Sequence, residues 1–159
     1  MIGTWDNDQG KGYDIDYPPE REVRLDATYQ GQQVEIGWRR DVPADEAGEY
    51  ELDEALHPSA WAVAYVAAAV RVREAGDYEI RLSTSEPLKV WLDGELVFHD
   101  RKVDGWLFDA FAVPVHLDAG VSTILIKTVQ DTGGWNLGVR LTGPAGAPLE
   151  AGALADALD

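Results

Sequence analysis

The stretch Asp77-Tyr-Glu-Ile-Arg-Leu-Ser-Thr-Ser-Glu-Pro-Leu-Lys-Val-Trp-Leu-Asp-Gly-Glu-Leu-Val-Phe-His-Asp100 decides the fold. Apolar residues alternate with polar ones on both sides of two turn signals, Ser85-Glu86-Pro87 and Asp93-Gly94. An Asp-Gly pair between alternating runs marks a β-hairpin. A two-residue type I′ turn would set Val90 opposite Val97 and Trp91 opposite Leu96, leaving both faces mixed. A three-residue loop with Gly94 in a bulge instead groups Leu88, Val90, Leu96 and Phe98 on one face. Lys89, Trp91, Glu95 and Val97 then take the other. A one-residue slip exchanges the faces, so the segregated pattern is the expected one.

The same alternation extends outward. From Ser59 to Glu74 the alanines would suit a helix, but period two sorts the residues better. Ala62, Ala64, Val66, Ala68, Val70 and Val72 fall on one side. Trp61, Val63, Tyr65, Ala67, Ala69, Arg71 and Arg73 fall on the other. Strands are likewise expected around Ile2 to Trp5, Tyr78 to Leu82, Phe108 to Leu117, Thr123 to Val129 and Trp135 to Leu141, and a short strand or turn at Tyr50 and Leu52. Val23-Leu25-Ala27 and Val34-Ile36-Trp38 should pair across a turn containing Gly31. Pro114 is tolerable near an edge or a bulge. Between Gly3 and Glu20 the chain is polar and turn-rich, and Pro18-Pro19 speaks against helix there. Regular short strands with turns between them indicate an antiparallel all-β sandwich over 1–143. Gly143 to Pro148 reads as a linker and Leu149 to Leu158 as a short helical tail, giving a 144–159 appendage.

With 29 acidic against 13 basic side chains, the net charge of -16 opposes nucleic acid and anionic membrane surfaces as partners. No apolar run approaches the roughly 20 residues that cross a bilayer. Cysteine is absent, which removes disulfides, zinc thiolates and cysteine nucleophiles. No leader is legible at Met1-Ile2-Gly3-Thr4-Trp5. An excised domain would lack one too, so compartment stays open, an extracytoplasmic parent protein included.

From Trp61 onward the succession of a long aromatic-led strand, Gly76-Asp-Tyr78, Lys89-Val-Trp-Leu-Asp-Gly94, Asp109 to Leu117, Ala119-Gly120 and Ile124-Leu-Ile-Lys127 resembles a known family. It is similar to the galactose-binding-like jelly-roll sandwich, in particular the sugar-binding domain of family 2 glycoside hydrolases. Gly3-Thr4-Trp5-Asp6-Asn7 and Pro18-Pro19-Glu20 also resemble the opening of accessory domains that precede tetratricopeptide repeats in large bacterial proteins. Asp93 departs from the family's usual asparagine, and Val121-Ser122 replaces the asparagine common after Gly120. The family carries further strand residues before Ile2, so the chain is expected to begin part-way through a natural domain. The resemblance implies a non-catalytic accessory module that binds carbohydrate weakly. Its alternative is a structural or protein-interaction domain that positions adjacent domains of a larger chain.

Sugar recognition needs flat aromatic faces and polar side chains for hydroxyls. Trp91, Trp106 and Trp135, with Arg101 and Asp104, are the candidates, since Trp106 and Trp135 follow glycine-rich loops. The alternative for loop tryptophans is to cap the ends of the sandwich. Trp5, Trp38 and Trp61 share phase with core residues. The resemblance also implies calcium as a structural ion, for which Asp6, Asp8, Asp14 and Asp16 offer carboxylates. A solvated acidic loop is the other reading of those residues. No other cofactor is expected. His57, His99 and His116 lie outside any nucleophile or zinc signature, and no catalytic residues are expected. Lys127 and Arg140, in otherwise apolar strands, should bury their stems and pair with Asp109 or another acid.

Overall fold

The computed structural model describes residues 1–101 and 105–149, together with the strand Leu154–Ala155. Its strands are β1 (Ile2–Asp6), β2 (Thr28–Gln30), β3 (Glu35–Gly37), β4 (Glu49–Glu51), β5 (Ala62–Val72), β6 (Gly76–Thr84), β7 (Leu88–Leu92), β8 (Glu95–Asp100), β9 (Leu107–Leu117), β10 (Gly120–Gln130), β11 (Asn136–Thr142) and β12 (Leu154–Ala155). Single-turn helices α1 (Pro18–Arg21) and α2 (Leu52–Ala55) interrupt them. Among the described residues all strand pairings are antiparallel. A six-stranded sheet runs β1-β5-β10-β7-β8, with β12 also on β5, and a four-stranded sheet runs β4-β11-β6-β9. The chain is therefore an all-β sandwich.

Alternation explains the core. Ala62, Ala64, Leu88, Val90, Ile124 and Ile126 of the larger sheet pack in one buried cluster with Ile80, Leu82, Val113, Val115, Leu117 and Leu137 of the smaller. Along β9 the buried valines and Leu117 alternate with exposed Ala112, Pro114 and His116. Pro114 stands on an edge strand, where a missing N–H costs no ladder bond.

The outer face of the larger sheet is also covered. Val63, Tyr65, Trp91 and Leu125 pack beneath Trp5, Tyr13, Tyr17 and Ile36 from the N-terminal segment. The β2–β3 hairpin closes as expected around Gly31, but its first strand starts at Thr28, after Val23 to Ala27. The Pro18-Pro19 pair opens α1 where no helix was expected. Proline at the first helical positions removes only N–H groups that have no intrahelical acceptor, and its fixed φ suits the turn.

The hairpin at Asp93-Gly94 corrects the expected register. Asp93 (φ 50) and Gly94 (φ 86) are both left-handed, so the turn is type I′ and Trp91 faces Leu96. A bulge at Val97 then restores the pairing of Val90 with Phe98. Leu96 is exposed as a result, while Val97 and Phe98 pack against the core. The turn is clamped to β10: Thr123 N–H donates to Asp93 Oδ1 at 2.7 Å, and Asp93 N–H to the Thr123 carbonyl at 2.8 Å.

After β11, Pro144–Gly146 form a 3₁₀ turn held by Glu79. The Ala145 and Gly146 N–H groups donate to the Glu79 carboxylate at 2.9 and 3.1 Å. These bonds, the Ala145 one above all, hold Glu79 below its ordinary pKa, and Arg81 pairs with it. A Cβ on Gly146 would lie 2.9 Å from Arg81 Nη2. The helical tail expected over 149–158 falls mostly outside the described residues. Within it, Leu154–Ala155 is extended and pairs with Val72 and Arg71.

Candidate functional site

At one end of the larger sheet, the start of β7 lies beside the ends of its antiparallel neighbours β8 and β10. Leu88 pairs with Asp100 on one side and Thr128 on the other. This topology gathers the Glu86-Pro87 turn, Arg101 after β8, and Val129 to Asp131. The Gly10–Tyr13 segment closes over them, leaving a cleft of about 260 Å3 lined by Gly10, Tyr13, Glu86, Pro87, Arg101, Val129 and Asp131.

The covering segment is fixed by Asn7, which is fully buried. Its amide donates to the Gln130 carbonyl and to Asp131 Oδ1, both at 3.1 Å, and its Oδ1 accepts the Gly12 N–H at 3.0 Å. A Cβ on Gly12 would meet Asn7 Oδ1 and Val63 Cγ2 at 2.7 Å, so the close approach requires glycine.

Charge is distributed unevenly in the cleft. Burial, together with the nearby Asp131 charge, pushes the Glu86 carboxyl up to about 7. Ser85 Oγ donates to it at 3.3 Å. Arg101 lies over the Tyr13 ring at 4.3 Å, Lys89 over the same ring at 4.6 Å, and Tyr13 donates to the Leu88 carbonyl at 3.4 Å. Arg101 also pairs with Asp14, whose carboxyl this hydrogen bond holds below its ordinary value.

The expected sugar-binding residues separate. Arg101 lines the cleft, and Asp104 lies outside the described residues. Trp106 is 44% exposed and begins the exposed strip Trp106-Leu107-Phe108 at the start of β9, where Arg140 lies 4.9 Å over the Phe108 ring. Trp135 is not a loop platform. It is fully buried, with its indole N–H donating to Thr128 Oγ1 at 2.9 Å, because it points inward in phase with Leu137. Trp91 is buried beneath the N-terminal layer and reaches only the floor of a separate groove bordered by Pro19 to Val23. Trp61, expected in the core, is 45% exposed. It adopts φ 50 just before β5 begins, so the strand's alternation does not extend to it.

The four aspartates expected to offer calcium ligands stand apart, three of them with separate local partners. Asp6 Oδ1 accepts the Asp8 N–H at 2.6 Å, Asp8 faces Lys11 at 3.6 Å, Asp14 pairs with Arg101, and Asp16 is exposed. Among the described residues no three acidic or histidine side chains converge to hold a metal. The donors are spread and spent on local bonds, whereas calcium wants six to eight oxygens at once.

Sequence reasoning missed Tyr13, Glu86 and Asp131. The available signal was topological: the two acids stand in turns at the same end of neighbouring strands.

No family model matches the chain, and no curated protein matches it. Among solved structures it is similar to the PA14 domain of an antifreeze protein, with 14% identity and a TM-score of 0.45 over 54% of this chain and 45% of that one. It is also similar to a GH31 alpha-xylosidase from Xanthomonas citri, with 16% identity and a TM-score of 0.37 over 73% of this chain and 11% of that one. The chain spans less than half the length of either.

Proposed function

We propose that the chain is a non-catalytic accessory module that binds carbohydrate in the cleft between Arg101, Glu86 and Asp131. The observation that carries this reading is the convergence of a cation, two carboxyl groups and the apolar Pro87 and Val129 around about 260 Å3 of open space. Sugar hydroxyls both donate and accept. They can satisfy the Glu86 and Asp131 carboxyl groups and Arg101 at once, while a ring face lies on the apolar wall. A carboxyl titrating near 7 in a cleft is also a marker of functional sites.

Calorimetric titration with a panel of mono- and oligosaccharides tests this. Heat is expected for at least one sugar, with Arg101→Ala and Glu86→Gln each weakening it about tenfold, roughly 1.4 kcal/mol. No binding by the unaltered protein across the panel would remove the carbohydrate reading. Release of new reducing ends from the same oligosaccharides would remove the non-catalytic one.

A second reading is a structural or protein-interaction domain that positions a neighbouring domain. The observation favouring it is a groove of about 410 Å3 beside β5, lined by Leu25, Trp38, Val42 and Tyr50 among others. Failure of every sugar, with a partner segment protecting that groove, would move the assignment there.

A further inference from the structure

Between residues 39–45, β4 and α2 lies a pocket of about 310 Å3 that shares no lining residue with the cleft. β4 is an edge strand whose partner among the described residues is β11. Residues two apart on a strand share a face, so Glu49 and Glu51 project to the same side. Glu54, on α2 and three positions beyond Glu51, brings a further carboxyl beside it. Asp45 adds a fourth, its Oδ1 accepting the Ala47 and Glu49 N–H groups at 2.8 and 2.9 Å. Val42 and Pro43 supply an apolar wall.

Four acids thus line one pocket with a single cation, Arg39, whose charge is engaged elsewhere. Its Nε lies 3.7 Å from Asp41 Oδ1, and its Nη1 donates to the Ala55 carbonyl. Glu49 is the decisive group. It is only 8% exposed, its stem lying over β11 where a Cβ on Gly138 would come within 3.3 Å of Glu49 Cγ. Yet among the described residues no hydrogen bond or ion pair reaches its carboxylate. A buried carboxylate without a partner is costly. Burial, with Asp45 beside it, accordingly raises the Glu49 carboxyl above its ordinary pKa. Glu51 is raised as well, first by the charge of Glu54 and then by the hydrogen bond between the two. Both carboxyls lack a counter-charge.

The arrangement selects among cations. Among the described residues no three acidic or histidine side chains converge on one point, as a metal ion requires. Carboxyls spread around a pocket with an apolar wall suit a cation carried on methylenes. An ammonium donates three hydrogen bonds, and its alkyl stem can lie on Val42 and Pro43. The net charge of -16 draws such cations towards the protein. We propose that the pocket between residues 39–45, β4 and α2 binds an alkylammonium group, with Glu49 as its buried counter-charge and the exposed Glu51 and Glu54 at its mouth. Free diamines and the lysine side chain of a peptide carry the same group, and the test separates the two sources.

Calorimetric titration of the full chain with 1,4-diaminobutane, with a lysine peptide blocked at both ends and with 1,4-butanediol tests the assignment. At least one amine should bind and the diol should not. Binding of the peptide alone would assign the group to a partner protein, and binding of the diamine to a free polyamine. Glu49→Gln, close in shape but uncharged, should weaken the amine about tenfold. The exposed Glu54→Gln should weaken it several-fold, which keeps the site readable if Glu49→Gln fails to fold. Glu95→Gln removes the same charge from an exposed position outside the pocket and should leave the affinity unchanged. An ammonium favours the ionised acids, so binding at about pH 5 should release protons, read as heats that differ between buffers. No heat with either amine, or equal binding of the diol, would overturn the proposal. Equal weakening by Glu95→Gln would overturn it too, by showing diffuse attraction to the net charge.

Discussion

The two faces of the larger sheet bury residues of opposite character. Towards the smaller sheet the contacts are mainly aliphatic, Ile and Leu against Ala and Val, with Trp135 tied to Thr128. Towards the N-terminal layer they are aromatic and charged. Trp5 lies 5.6 Å from both Tyr17 and Tyr65, centroid to centroid. Lys127 is completely buried among these rings, 5.1 Å from the Tyr17 centroid. Its ammonium donates to Glu20 Oε1 at 2.7 Å and to the Tyr13 and Ile15 carbonyls at 3.2 and 2.6 Å. Tyr65 donates to the same Glu20 oxygen. The inner face is held by non-directional burial. The outer face depends on one cation that satisfies backbone from a segment with little regular structure. A two-sided sheet can thus be covered on its second side without a second sheet, provided polar groups fix the cover.

The largest test of that contrast is Lys127→Ala. It leaves two carbonyls without their side-chain donor and the buried Glu20 carboxylate without its cation, with only the Tyr65 hydroxyl still donating to it, and a stability loss of about 3–5 kcal/mol is expected in urea unfolding. Hydrogen exchange should rise in the N-terminal layer before it rises in β6 and β9. Simultaneous loss of both regions would mean that the two faces form one cooperative unit. The double change Lys127→Met with Glu20→Gln should recover most of the loss, because it removes both charges together.

Leu82→Ala on the inner face should cost about 2–4 kcal/mol through lost burial and a residual cavity, with no layer-specific exchange. An exchange pattern matching that of Lys127→Ala would erase the distinction.

Alkaline titration separates the faces next. Burial, with Asp6, Asp8 and Glu20 nearby, raises Tyr17 to about 12, and burial raises Tyr65 as well. The folded state holds these protons more tightly than the unfolded chain. Their stabilisation is complete below pH 10 and lost as pH rises towards 12, by up to about 3 kcal/mol for Tyr17. Lys127, which burial holds below its ordinary value, works in the opposite direction. The loss should shrink in Tyr17→Phe, with Tyr65 still contributing, and persistence of the full loss there would assign it elsewhere.

The smallest expected effect is at the cleft. Glu86, raised to about 7, is ionised at a cost that grows as pH rises from 4.5 through 7. Glu86→Gln should flatten that part of the melting-temperature profile and raise the value slightly at pH 8. An unchanged slope would show that Glu86 titrates normally.

The inner face was legible because strands repeat every two residues. The alternation of Ala62 to Val72 and of Phe111 to Leu117 identifies both sheets and their buried sides. Arg140 was correctly placed near Asp109, which accepts its Nε at 3.2 Å. Trp135 was readable too, since it shares phase with Leu137, but the preceding Gly133-Gly134 suggested an exposed loop. The outer face was not legible, because Tyr13 and Tyr17 lie on irregular backbone and carry no period. Lys127 was expected to bury only its stem; its acid proved to be Glu20, 107 residues away in sequence. The cleft depends on strand order, which local patterns leave open.

The Glu79 clip on Ala145 and Gly146 has a kinetic meaning. By pinning the 3₁₀ turn, it fixes where the chain stands after β11, ahead of the pairing of Leu154 and Ala155 with β5. A strand joined covalently to its own sheet meets the edge at an effective concentration on the order of millimolar. A separate peptide of the same sequence would have to reach that concentration to compete. At Val72 and Arg71 the intruder would also have to displace a partner of the same chain.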